Sequence, residues 1–204
     1  MADARSGWGR WTLRALAAAL LAGVIARVGT DPVRPAPAPA VATAPANPDR
    51  VFTSPREAIA LSGVPAGAVE SVLKVSAPMH YGDAIWREAG VPAGPIWVRV
   101  DRRSQILSVF RGPHEIGTAV ILYGAPEKPT PAGRYPVLGK AAYHISRTYN
   151  AEMPYTLWLT RDGIGIHAGN VREGAATHGC IGVPKDFARR LFDLVQVGDP
   201  VVIV

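Results

Sequence analysis

The chain changes texture at Pro95. Beyond it, apolar and β-branched residues gather in short runs: Ile96-Trp97-Val98-Arg99-Val100, Ile106-Leu107-Ser108-Val109-Phe110, Thr118-Ala119-Val120-Ile121-Leu122-Tyr123, Tyr135-Pro136-Val137-Leu138 and Thr156-Leu157-Trp158-Leu159-Thr160. Gly, Pro and Asp punctuate them, so each run predicts a short strand. One later segment has the helical period instead. After Pro184, the residues Phe187, Ala188, Leu191, Phe192 and Val195 fall on one face while Arg189, Arg190, Asp193 and Gln196 fall on the other. Gly198 ends that helix, and Val201 to Val204 predict a last strand. Upstream, Ser54-Pro55-Arg56-Glu57 is a capping-box pattern with Pro at the first helical position, which predicts a short helix from Pro55 to Leu61 that stops at Gly63. The expected fold is mainly β (α+β), with one C-terminal-region helix packed on a sheet. Residues 51–94 form a short helical prelude to a body of residues 95–204, and no fixed-period repeat is visible.

The first fifty residues follow another pattern. Arg5, Arg10 and Arg14 precede the uncharged apolar stretch from Ala15 to Ala26, and Arg27 closes it. This is a targeting layout: residues 1–30 read as a signal peptide or as an N-terminal membrane anchor, shorter than the roughly twenty apolar residues of an ordinary spanning helix. Export follows from either reading, to the periplasm or cell envelope. Residues 31–50 read as a linker; within it residues 31–48 hold six Pro, six Ala and no Gly. Such a composition favours extended polyproline II, a spacer of roughly 55 Å at about 3.1 Å per residue.

Charge and cysteine content narrow the function. Residues 1–50 carry six Arg and three Asp, so half of the net charge of +6 belongs to the N-terminal segment and the body is nearly balanced. That argues against nucleic acid as a partner, which calls for Lys and Arg concentrated on one face. The single cysteine, Cys180, forms no internal disulfide and excludes a cysteine-rich zinc module. What remains for it is packing or chemistry.

The candidate chemistry lies in Ile164-Gly165-Ile166-His167-Ala168-Gly169-Asn170 and Thr177-His178-Gly179-Cys180-Ile181-Gly182-Val183-Pro184. A thiol attacks only as thiolate, a few per cent of the population at neutral pH for an unperturbed pKa of about 8.5, so a neighbouring imidazole is the expected activator. His167 ends an alternating segment, and a loop of nine residues returns the chain to Thr177. A return of that length is able to bring His167 beside Cys180. His178 points the same way if the backbone is extended. Gly179 leaves room for a substrate carbonyl, and the amides of Gly179 and Cys180 are candidates for an oxyanion hole. Two other readings stand beside this one: a buried structural thiol, and a zinc site using His167, His178 and Cys180, whose spacing matches none of the familiar closed sites. His80, His114 and His144 lack such company and are expected at the surface.

These residues have a recognisable arrangement: a His at His167, a variable loop, then Thr177-His178-Gly179-Cys180, with Thr130-Pro131-Ala132-Gly133 and Met153-Pro154-Tyr155 before them and Val197-Gly198-Asp199-Pro200-Val201 after them. In this order they resemble the catalytic domain of the L,D-transpeptidases, bacterial cell-wall enzymes, over about Ile96 to Val204. The resemblance implies a β-sandwich body with a helix, and a cysteine acyltransferase that requires no cofactor and no metal. It implies Cys180 as nucleophile and His167 as general base and later acid, its ring oriented by a nearby backbone carbonyl such as that of Ala168. His178, Gly179 and Thr177 then shape the site, and Tyr155 is a lid residue near the oxyanion.

The partners implied are peptidoglycan stem peptides, donor and acceptor. The thiolate attacks the amide joining the L-centre of a diamino acid to the terminal D-Ala of a tetrapeptide stem, D-Ala leaves, and an amine of another stem takes the acyl group. A monomer is expected, with a membrane tether through the N-terminus where that segment is retained. An L,D-carboxypeptidase, in which water replaces the acceptor, and a non-catalytic wall-binding module are the alternatives. Two departures from the family pattern stand out. The loop after His167 is shorter than usual, and Gly182 occupies a position where members commonly carry Arg. Arg172, then Lys185, are the nearest cations in sequence that could replace it.

Overall fold

The computed structural model describes residues 48–54, Glu57 and residues 69–204. The targeting segment, nearly all of the linker and, apart from Glu57, the helix expected over 55–61 lie outside the described residues. The capping contacts that begin that helix are formed: the Ser54 amide and hydroxyl donate to Glu57 Oε2 at 2.8 and 2.7 Å, and the Glu57 amide donates to Ser54 Oγ at 3.4 Å. Among the described residues no helix is long and apolar enough to cross a membrane.

The larger of two main sheets contains β1 (Arg50–Phe52), β2 (Ser71–Leu73), β3 (Ala84–Trp86), β4 (Ile96–Asp101), β5 (Ile106–Arg111), β6 (His114–Val120), β7 (Gly133–Pro136) and β14 (Pro200–Ile203). Its order is β1-β2-β6-β5-β4-β14-β7, with β3 also pairing with β6. The apolar runs at 96 and 106 become an antiparallel pair, Trp97 opposite Phe110 and Val100 opposite Leu107. β14 then slots in parallel to β4 and antiparallel to β7. The smaller sheet has the order β13-β12-β11-β8, built from β8 (Gly139–Ala141), β11 (Thr156–Trp158), β12 (Gly165–Ala168) and β13 (Ile181–Val183). A two-stranded ribbon of β9 (Ile145–Ser146) and β10 (Ala151–Glu152) stands apart.

One helix is described, Lys185–Leu194. It buries Phe187, Ala188 and Leu191, the apolar stripe seen in the sequence, against β11 and β12. At its C-terminus the Lys140 ammonium donates to the Val195 carbonyl at 2.6 Å, a cation at the negative end of the helix dipole. Val98, Leu107, Ile116, Leu157, Ile181 and Leu191 belong to one continuous apolar core shared by both sheets and the helix. Among the described residues the fold is therefore mostly β, with one helix packed on the smaller sheet. Within residues 51–94, where the helical prelude is expected, the described residues 69–94 hold β2 and β3, which both pair with β6. Three-residue strands are too short to show a period, and their pairing partner lies far along the chain.

Candidate active site

β12 and β13 run parallel, with Ile166 opposite Ile181, His167 opposite Gly182 and Ala168 opposite Val183. Side chains alternate along extended chain, so His167 and the Gly182 position share a face; Cys180, two residues earlier, is on the diagonal. Both His167 and Cys180 line a single cavity of about 440 Å³.

The backbone at Cys180 is fixed by two threonines. Thr130, fully buried, donates its hydroxyl to the Gly179 carbonyl at 2.9 Å and accepts the Gly124 amide at 2.9 Å. Thr177 donates its hydroxyl to the Cys180 carbonyl at 2.5 Å. Because a trans peptide sets C=O and N–H on opposite sides, holding the Gly179 carbonyl toward Thr130 turns the Cys180 amide the other way. Gly179 has φ +103°, which L side chains rarely adopt. Gly124 is required by space: a Cβ there would meet the Lys128 carbonyl at 2.2 Å.

His167 Nδ1 lies 2.8 Å from the Ala168 carbonyl. A carbonyl only accepts, so Nδ1 carries the proton and Nε2 is left as the basic nitrogen. Burial holds the His167 imidazole below its ordinary pKa; the bond to Ala168 opposes this, and the charge of His144 adds to it. Burial also pushes the Cys180 thiol up. A hydrogen bond from the Gly165 backbone and the Lys128 charge pull it back, and Asp162 adds to the upward push. The thiol lies 3.6 Å from the Gly163 carbonyl. Burial thus favours the uncharged form of each partner. Gly165 must approach closely here, since a Cβ on it would sit 2.6 Å from the Leu157 carbonyl.

The expected site residues separate into groups. His167, Thr177, His178 and Cys180 line the cavity, whereas Gly179 is buried behind it and Ala168 contributes its carbonyl. Tyr155, expected over the oxyanion, does not line the cavity. Its backbone has φ +57°, its amide bonds the Ala142 carbonyl at 2.9 Å, and its ring packs on Phe192 of the helix at 5.8 Å. The aromatic at the mouth is Tyr149, stacked on His178 at 4.1 Å and accepting from the Lys128 ammonium at 2.8 Å.

Arg172 is exposed and neither it nor Lys185 lines the cavity; the cations that do are Lys128 and Arg147. His144 is no idle surface group either, since it lines the cavity edge-on to Trp158 at 4.8 Å. His114 bonds Ser71 Oγ at 2.9 Å far along the other sheet, and His80 is exposed beside Asp83. Sequence reasoning missed Lys128, Tyr149, Asp162 and His144. Only Lys128 carried a signal, standing two residues before the Thr-Pro motif. Among the described residues no three His, Cys, Asp or Glu side chains gather as a metal ion would need.

A family model described as the YkuD L,D-transpeptidase catalytic domain matches residues 95–203. The probable L,D-transpeptidase 3 of Mycobacterium tuberculosis (strain ATCC 25618 / H37Rv) is 28% identical over 106 residues, 44% of this chain and 39% of that protein. The structure of the LD transpeptidase LdtMt1 in complex with imipenem is similar at 25% identity and TM-score 0.50, over 53% of this chain and 58% of that one. An L,D-transpeptidase from Stackebrandtia nassauensis shares the fold, at 24% identity and TM-score 0.51 over 58% of each chain. The chain spans less than two thirds of the length of each of these relatives.

Proposed function

Because the chain belongs to the L,D-transpeptidase catalytic-domain family, we propose that it is a peptidoglycan L,D-transpeptidase working through a thioester on Cys180. His167 Nε2 takes the thiol proton as Sγ adds to the carbonyl between the L-centre of the diamino acid and D-Ala. The same proton passes to the departing D-Ala nitrogen as the C–N bond breaks. An acceptor amine then forms the new C–N bond, the C–S bond breaks, and the amine's proton returns through His167 to the sulfur. The Cys180 amide, turned away from Thr130, is the donor for the oxyanion. The observation that carries this reading is the placement of His167 and Cys180 on one cavity with the imidazole tautomer fixed by Ala168. Partners are the stem peptides, with no cofactor, acted on by a monomer in the cell envelope. Arg5, Arg10 and Arg14 ahead of the apolar stretch support export, and the Pro/Ala-rich segment supports reach from a tether.

The test is mass spectrometry of the protein with a tetrapeptide donor. Wild type should show a Cys180 acyl adduct and free D-Ala, and Cys180→Ala neither; D-Ala release by Cys180→Ala would sink the assignment. LdtMt1 was solved in complex with imipenem, and a carbapenem should likewise acylate Cys180 here, adding its whole mass as the lactam opens. His167→Ala should slow acylation by about 10²- to 10⁴-fold, the usual contribution of a general base. Since burial lowers the His167 pKa, the acid limb of kcat/KM should fall below the ordinary imidazole range.

A further inference from the structure

The cavity at Cys180 is bipolar. Lys128 and Arg147 line it, and so does Asp162. Asp162 is exposed in the turn between β11 and β12, held there by the Ile164 amide on Thr160 Oγ1 at 3.0 Å and the Leu159 amide on the Ile164 carbonyl at 2.8 Å. The next residue, Gly163, presents its carbonyl to the thiol at 3.6 Å. Lys128 donates to Tyr149, and its charge also acts on Asp162 across the cavity. The Asp162 carboxylate makes no hydrogen bond or ion pair among the described residues.

A carboxylate beside a thiol works against the first half-reaction, because it opposes formation of the thiolate. What a carboxylate without a hydrogen-bond donor at that mouth favours is an arriving cation. In the second half-reaction the co-substrate is one, since a primary amine is an ammonium at neutral pH. Resting on the function proposed above, we infer that Asp162 receives the ammonium of the acyl acceptor and so favours aminolysis of the thioester over hydrolysis. The ammonium releases one proton to water before attack. The neutral amine then forms the C–N bond, the C–S bond breaks, and the amine's second proton passes through His167 to the sulfur.

The experiment has two arms on the full chain. In the first, Cys180 reacts with cationic, neutral and anionic methanethiosulfonates at one pH. Taking rate ratios cancels any change in the thiolate fraction. Asp162→Asn should lower the cationic-to-neutral ratio by about three- to fivefold, the scale of one unit charge a few ångströms away in water, and Asp162→Glu should restore it. In the second, a tetrapeptide donor is offered with a peptide bearing a primary amine. Asp162→Asn should lower the ratio of transfer to hydrolysis in parallel, and Asp162→Glu should recover it. An unchanged reagent ratio overturns the inference, and so does an altered reagent ratio with an unaltered transfer ratio. A wild-type protein that releases no D-Ala removes the transpeptidase reading and the acceptor role with it. That failure is distinct, because the reagent arm needs only an accessible thiol.

Discussion

The two main sheets are held together in different ways. In the larger one, Val98, Val100, Leu107, Val109, Ile116 and Val201 have no accessible surface, and order comes from filling volume with branched apolar side chains. The smaller one buries Leu157, Ile181 and Val183 as completely, but polar and backbone contacts fix it near the site. Its close contacts are backbone on backbone at Gly165, and the neighbouring Cys180 turn hangs on the hydroxyls of Thr130 and Thr177. Reactive groups sit where polar contacts set the geometry, and the apolar sheet serves as their foundation. Damage to the first should therefore appear as lost stability, and damage to the second as lost chemistry.

The sharpest test of that division is Leu107→Ala. It should cost about 2–5 kcal/mol in thermal or denaturant unfolding, while the alkylation rate of Cys180 in the folded protein stays as in wild type. Thr130→Val keeps the volume but strands the Gly124 amide and the Gly179 carbonyl, at about 1–3 kcal/mol for an unsatisfied buried group. Here alkylation and carbapenem capture should fall as well; a stability loss with normal thiol reactivity would break the comparison.

Among the buried side chains of the larger sheet, one carries a carboxyl group. Glu115 is buried on β6, its Oε2 accepting the Leu73 amide at 2.7 Å, and burial raises its pKa despite bonds from Ser108 and Leu73. A folded carboxyl that holds its proton longer than the unfolded one makes stability fall as pH rises through the window above the ordinary carboxylate value. Glu115→Gln should flatten that limb in melts taken across pH. The smallest effect is expected at Gly182→Ala, whose Cβ would make only ordinary contacts with Leu122 and Thr177 at 3.5 and 3.9 Å. Stability should stay within about 0.5 kcal/mol, showing that a β-carbon fits at this position.

The same division explains what could be read from the sequence. β4, β5, β11, the helix and β14 declare themselves through side-chain period. β6 does so only in part: its first residues, His114 and Glu115, are polar, and Glu115 is held inside by nearby Ser108 and by the Leu73 amide, forty-two residues away and beyond any local pattern. The predicted run to Tyr123 also overshoots, because Leu122 leaves the sheet to bond Gly182 through both its amide and its carbonyl at 2.9 Å. At the site, the His167 and Cys180 motifs are contiguous and stand out. Lys128, Tyr149, His144 and Asp162 come from separate connections with no common spacing, so only folding brings them to one cavity. At Tyr155 a positive φ sets the side-chain direction without leaving any mark in composition.

β14 occupies the interior of the larger sheet, between β4 and β7, with Ile203 opposite both Val100 and Gly133. During synthesis the facing edges of β4 and β7 stay open until residue 203 has left the ribosome tunnel. The sheet therefore cannot be completed as the chain emerges, and ribosome-bound chains arrested before that point should be more protease-sensitive than the released chain.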